Sequence, residues 1–298
     1  MGGGSWSHKD FVTYSTSVGR SVATDGSLSG KYSNQDIFKS RNLHEDLDPY
    51  EVTRECCDSN EHPNTIPVIL ALDVTGSMGQ AAVEVAKKLN VVMTDLYKEV
   101  KDVEFMIMGI GDFYCDASPL QVSQFESDIR IAEQLDKVWF EFGGGGNDYE
   151  SYTAAWYFAS RHCNLDCWKR GKKGIIITIG DETLNPYLQS AKIQRCIGDN
   201  LQSDVDTKLL YEETKSKYDV YHIHVDHSNY SYHSWEHCGP TFKKVLGDEY
   251  VINSNLNNIA EKITELIVNT AKNQDSFNIT VPVTSTSVTK NENGEITW

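Results

Sequence analysis

The chain predicts an α/β fold: a Rossmann-like open, mostly parallel sheet of about six strands with helices on both faces. Three observations carry this expectation. Pro67-Val-Ile-Leu-Ala-Leu-Asp73 is an unbroken apolar run that ends in a carboxylate, as a buried strand does where it meets a functional loop. Gly174-Ile-Ile-Ile-Thr-Ile-Gly180 places five β-branched residues in a row, the composition of a central parallel strand buried on both faces. Between such runs, apolar residues recur at Met78, Ala82, Val85, Leu89, Val92 and Leu96, the three-and-four spacing of one helix face.

Taken in order, residues 1–64 are rich in Gly, Ser, Asn and charge. They read as an irregular arm packed on the domain, with Trp6, Phe11, Tyr14 and Phe38 as anchors and one short helix beginning near 33. Residues 65–272 make the α/β domain. After the first strand and helix, 103–112 reads as a second buried strand, followed by a loop to 122 and a helix near 127–137. A four-glycine loop, Gly143 to Gly146, precedes a helix carrying Tyr152, Ala155, Trp156 and Ala159. Beyond the Ile-rich strand come helices near 186–197 and 206–217, the alternating strand 220–225, a short helix 240–246, a strand at 250–252 and a closing helix. Residues 273–298 form a tail in which Asn293-Gly294 suits a small hairpin.

The 298 residues hold 27 Lys plus Arg against 43 Asp plus Glu, a formal net charge of −16. That balance argues against nucleic-acid binding, which needs clustered cations, and it draws divalent cations toward the surface. No apolar run approaches the ~18 residues of a membrane span, and the amino terminus lacks the features of a leader. With seven cysteines, two of them adjacent at Cys56 and Cys57, the expectation is a reduced, cytoplasmic protein. Cys163 and Cys167 are redox-active only if both thiols are exposed.

The oxygens after the first strand decide the chemistry. Asp73 is followed at two-residue steps by Thr75 and Ser77, with Gly76 and Gly79 loosening the turn into the helix. One carboxylate with two neutral hydroxyls suits a hard divalent cation such as Mg²⁺, with Mn²⁺ or Ca²⁺ as alternatives. Asp73-Val-Thr75-Gly-Ser77 resembles the Asp-x-Ser/Thr-x-Ser signature of von Willebrand factor type A domains, and the whole chain resembles uncharacterised bacterial and phage proteins of that kind. The resemblance implies a metal-ion-dependent adhesion site. It also implies a threonine from the glycine loop, where this chain has Asn147 and Asp148, and an Asp after the Ile-rich strand, matched by Asp181 of Gly180-Asp181. Gly145, Gly146 and Asp112 are the expected partner-facing rim. A purely conformational glycine loop is the alternative reading.

His222, His224, His227, His233 and His237, with Cys238, fall close together but match no metal-binding spacing. Their imidazoles are expected to pack with Tyr230, Tyr232 and Trp235, or to pair with Asp226 and Glu236, rather than to bind zinc.

Two classes of function follow. The first is a non-enzymatic, metal-dependent protein-binding module whose ion takes an Asp or Glu from a partner. The resemblance implies an assembly role, as with the AAA-type ATPases that accompany many bacterial type A proteins. The second is an aspartyl phosphotransferase of the haloacid dehalogenase type with Asp73 as nucleophile, since cation pumps carry Asp-Lys-Thr-Gly-Thr. Val74 stands where those enzymes have lysine, and Gly180-Asp181 is followed by Leu184-Asn185 rather than Asn-Asp.

Overall fold

Alternate residues of the first core strand, β1 (Ile66–Asp73), part onto two apolar faces. Val68, Leu70 and Leu72 point into one core and Ile69 and Ala71 into the other. The computed structural model describes residues 4–141, 147–227 and 230–277. Around β1 it assembles β2 (Val103–Ile110), β3 (Leu120–Val122), β4 (Gly174–Gly180), β5 (Tyr218–Val225) and β6 (Val251–Ser254). The sheet order is β6-β5-β4-β1-β2-β3. Only β3 runs antiparallel to its neighbour within this sheet. Ile175–Ile179 therefore lies in the interior of the sheet, with Ile176 and Ile177 beside Ile69 and Leu70, as its unbroken β-branched run predicts.

On one face lie the helices Gly79–Glu99 and Ile259–Phe277. The other face carries Thr153–His162, Thr207–Thr214 and Trp235–Leu246, around a fully buried Trp156. From β1 the chain moves outward through β2 and β3, then returns to the opposite side of β1 as β4. The carboxyl ends of β1 and β4 thus flank the point where strand order reverses, where a crevice opens between outgoing connections. Asp73 ends β1 and Asp181 follows β4.

Several boundaries differ from the sequence expectation. The helix expected at 127–137 starts later, at Arg130, after an isolated bridge between Phe105 and Glu126 has kept the chain extended. The helix expected at 186–197 begins at Ser190, because Tyr187–Leu188 pairs with Val205–Asp206. The helix expected from Pro240 begins at Trp235, with Pro240 inside it.

The amino-terminal segment contributes a helix, His8–Ser17, and a single short turn of helix, Asn34–Ile37. Trp6, Phe11, Ile37 and Phe38 are buried in the core on the Gly79–Glu99 side. The Trp6 indole donates to Asn90 Oδ1 at 3.0 Å, and Arg20 grips both oxygens of Asp136 at 2.9 and 2.8 Å. The expected carboxy-terminal hairpin lies outside the described residues. So do Gly145 and Gly146.

Candidate metal centre

The turn after β1 folds back on its own carboxylate. Asp73 Oδ1 accepts from the Thr75 main-chain N–H at 2.9 Å and from Thr75 Oγ1 at 2.5 Å. This is the local side-chain-to-backbone closure that short polar residues favour in turns. Thr75 Oγ1 lies 3.3 Å from Ser77 Oγ, and Ser77 Oγ donates to Asp181 Oδ1 at 2.9 Å. Asp73, Thr75, Ser77 and Asp181 are therefore one chain of oxygens across the reversal point. Asp73 and Asp181 are fully buried, Thr75 is buried and Ser77 half-buried.

Other sequence-predicted residues are placed differently. Asn147 reaches Asp112 instead, its Nδ2 donating to Asp112 Oδ2 at 2.7 Å. Asp148 is exposed, and its main-chain carbonyl accepts from Thr183 Oγ1. Asp112, expected on the partner-facing rim, is buried. Its Oδ1 accepts from Tyr114 N at 2.9 Å. A carboxylate so engaged braces the loop after β2 rather than facing outward.

Where a loop threonine was expected, the structure brings a tyrosine. Tyr152, at the start of the Thr153–His162 helix, donates its hydroxyl to Asp73 Oδ2 at 2.8 Å. The same hydroxyl receives the Glu182 main-chain N–H at 3.3 Å. Tyr152 is completely buried between His222 and Phe242, at centroid distances of 5.3 and 5.4 Å. Tyr152→Phe is expected to destabilise the chain by about 1.5–3 kcal/mol, the worth of a hydrogen bond to a charged group, read from the denaturant midpoint. Divalent-cation binding should survive this change.

Carboxylates crowd this end of the sheet. Burial first, then the neighbouring Asp181, pushes the Asp73 carboxyl up to about 7. Burial, then Asp181 and Asp73, raises Glu182 to about 8. Glu150 is buried beside the site, and burial followed by Asp73 and Asp112 raises it to about 11. Asp181 Oδ2 has no hydrogen-bond partner although it is completely buried. Unpartnered buried carboxylate oxygen is costly unless a cation compensates it. The all-oxygen donor set of Asp73, Thr75, Ser77 and Asp181 Oδ1 fits a hard divalent cation.

The histidine-rich segment also converges here, which corrects its expected pairing. Asp226 and Glu236 are exposed, and the imidazoles of His227 and His233 turn inward to Asp181 and Glu182 instead. Of the expected aromatic neighbours, Tyr232 packs on His233 at 4.3 Å and Trp235 tilts against His224 at 5.8 Å. Cys163 and Cys167 are both buried, and burial pushes each thiol up to about 12, which leaves no reactive dithiol.

No protein-family profile matches the chain, and no curated protein matches its sequence. Among solved structures, the pilus adhesin SpaC of Lactobacillus rhamnosus GG, in its open conformation, superposes over 76% of this chain with a TM-score of 0.51 at 12% identity. With the sheet order above, that likeness decides the fold. The chain has the von Willebrand factor type A fold. It spans only 31% of SpaC's own length. Weaker likenesses are to BatB of Bacteroides thetaiotaomicron (TM-score 0.41, 15% identity, 70% of this chain, 99% of BatB) and to the vWF domain of the type V pili tip protein Mfa5 of Porphyromonas gingivalis (0.40, 11%, 73%, 96%). Among the described residues of this type A fold, no helix is long and apolar enough to cross a membrane.

Proposed function

We propose that this chain is a non-enzymatic protein-binding module whose contact with its partner runs through a divalent cation, Mg²⁺ or Mn²⁺, at the end of β1. The observation that carries the reading is the linked oxygen set Asp73–Thr75–Ser77–Asp181 at the sheet's reversal point. A bound cation supplies there an electropositive coordination position that an Asp or Glu side chain of a partner can fill. The chain's own residues determine what that position prefers. Asp73 brings negative charge from below, its two oxygens fixed by Thr75 and Tyr152. Thr75 and Ser77 bring oxygen without charge, so the side that Ser77 exposes adds no anionic ligand of its own and is open to a partner's. Ser77 is the half-exposed member of the set and marks the approach. An assembly component working with an AAA-type ATPase is the partner class that the family resemblance supports.

The test uses immobilised full chain and candidate partners carrying an acidic side chain. Binding should require Mg²⁺ or Mn²⁺, vanish with chelator, return when metal is restored, and be absent in Asp73→Ala at every metal concentration. Binding indifferent to chelator, together with phosphate-ester hydrolysis that Asp73→Asn abolishes, would instead make Asp73 a nucleophile.

A further inference from the structure

We propose that Asp181, Glu182, His227 and His233 form a second divalent-metal site, for a borderline ion such as Zn²⁺, which shares the Asp181 carboxylate with the Asp73 site. The donors come from two places that the sheet brings together. Asp181 and Glu182 follow β4, while His227 and His233 lie between the neighbouring β5 and the Trp235–Leu246 helix.

Three donor–donor separations match those of a coordination shell, with His227 reaching it through Asp181 Oδ2 alone. His227 Nε2 lies 3.3 Å from Asp181 Oδ2, and His233 Nδ1 lies 3.4 Å from the same oxygen and 3.1 Å from Glu182 Oε1. Ligands held at ~2.0–2.1 Å by a tetrahedral ion stand about 3.3 Å from one another. Asp181, Glu182 and His233 each place a ligand atom within 4.8 Å of the other two.

The same contacts do not work as hydrogen bonds. Asp181 Oδ2 and His227 Nε2 are buried and neither has a hydrogen-bond partner, despite their separation of 3.3 Å. Asp181 is completely buried, and Ser77 already occupies its other oxygen. A buried carboxylate oxygen and a buried imidazole nitrogen that face one another at 3.3 Å without hydrogen-bond geometry suit ligands turned toward a central ion. His233 Nδ1 is also 3.3 Å from the Asp181 main-chain carbonyl. Cys238 Sγ lies 3.3 Å from that carbonyl and 3.1 Å from the Tyr232 carbonyl, and its one proton is shared between them. The Tyr232 ring, 4.3 Å from the His233 ring, holds the imidazole in place.

The donor types separate the two sites chemically. Hydroxyl and carboxylate oxygens around Asp73 select a hard ion, whereas two imidazoles with two carboxylates select Zn²⁺ or a similar borderline ion. The sequence spacing of the histidines fits no metal motif because half of the donors follow a different strand. Since only Asp181 is common to both sites, the proposal stands apart from the adhesion reading.

The experiment uses full-length chain stripped of metal and titrated with Zn²⁺ alone, in excess Mg²⁺, by calorimetry. The expected result is one Zn²⁺ per chain. His227→Gln and His233→Gln should each weaken it by at least about 10–100-fold, since even an outer-shell partner is worth that much, while the exposed His237, outside the four donors, should be replaceable by Gln with affinity unchanged. Wild type loaded with Co²⁺ should show visible bands of a four- or five-coordinate ion, a readout that needs no variant to fold. Absence of stoichiometric Zn²⁺, a colourless Co²⁺ complex, or Zn²⁺ affinity kept in both the His227→Gln and His233→Gln variants would each overturn the second site. Mg²⁺-dependent stabilisation measured on His233→Gln reports the Asp73 site separately.

Discussion

Asp73→Asn is expected to raise the melting temperature of the metal-free chain by a few degrees and to erase the further rise that Mg²⁺ gives the wild type. Both halves follow from the same burial. Asp73 and Asp181 are completely buried carboxylates on one oxygen chain, and burial together with the neighbouring Asp181 disfavours ionisation of Asp73. An amide of the same shape removes one charge from that interior. It keeps an oxygen to accept from Thr75 N and Thr75 Oγ1, while its NH2 takes the place of the oxygen that accepts from Tyr152, so that hydroxyl accepts instead of donating and offsets part of the gain. The metal-free protein is therefore relieved. Wild type, by contrast, should gain about 2.7 kcal/mol when Mg²⁺ reaches a hundred times its dissociation constant. The variant lacks the central acidic ligand and should gain nothing. Scanning calorimetry with and without Mg²⁺, at pH 8, reads both effects. A variant less stable than wild type in chelator would show that the carboxylate pair is not a source of strain.

Gly180→Ala should be the most damaging single-methyl change near the site. A Cβ built at Gly180 meets Tyr152 Oη at 1.9 Å, Cζ at 2.5 Å and Cε1 at 2.6 Å. The tyrosine ring has nowhere to retreat, being enclosed by His222 and Phe242. Overpacking of a filled core costs about 1–3 kcal/mol. Displacing the hydroxyl from Asp73 adds about 1.5–3 kcal/mol for the lost bond to a charged group. Because two of the three close atoms belong to the ring, adding Tyr152→Phe should not rescue Gly180→Ala, whereas adding Tyr152→Ala should remove the clash. Urea midpoints of the single and double variants check the order. Equal rescue by Phe and Ala would place the strain on the hydroxyl alone.

These two positions also separate what can be read in the sequence from what cannot. Strands β1 and β4 are continuous apolar runs, and central parallel strands need nothing else to be recognised. Asp73, Thr75 and Ser77 are legible because their geometry is local: the turn closes within five residues. Asp181 is legible as the residue after the strongest strand. Tyr152 is not, since its spacing with Ala155, Trp156 and Ala159 reads as the buried face of a helix, which it also is. Only the adjacency of β1 and β4 puts its hydroxyl on Asp73. The same holds for His227 and His233. Their nearest acids in sequence, Asp226 and Glu236, point to solvent, and their partners follow a different strand. Asn147 and Asp148 are the substitutes for a loop threonine by position, yet the loop after β2 claims Asn147 through Asp112 and Asp148 is exposed.

The central claim is that Asp73 and its neighbours hold one hard divalent cation. It is tested most directly by titrating Mn²⁺ into the metal-stripped chain and following the free-ion signal by electron paramagnetic resonance. The chain should take up one Mn²⁺ at this site, competed by Mg²⁺, retained in Tyr152→Phe and lost in Asp73→Asn. Mn²⁺ uptake that is absent in wild type, or that is equal in Asp73→Asn, would contradict it.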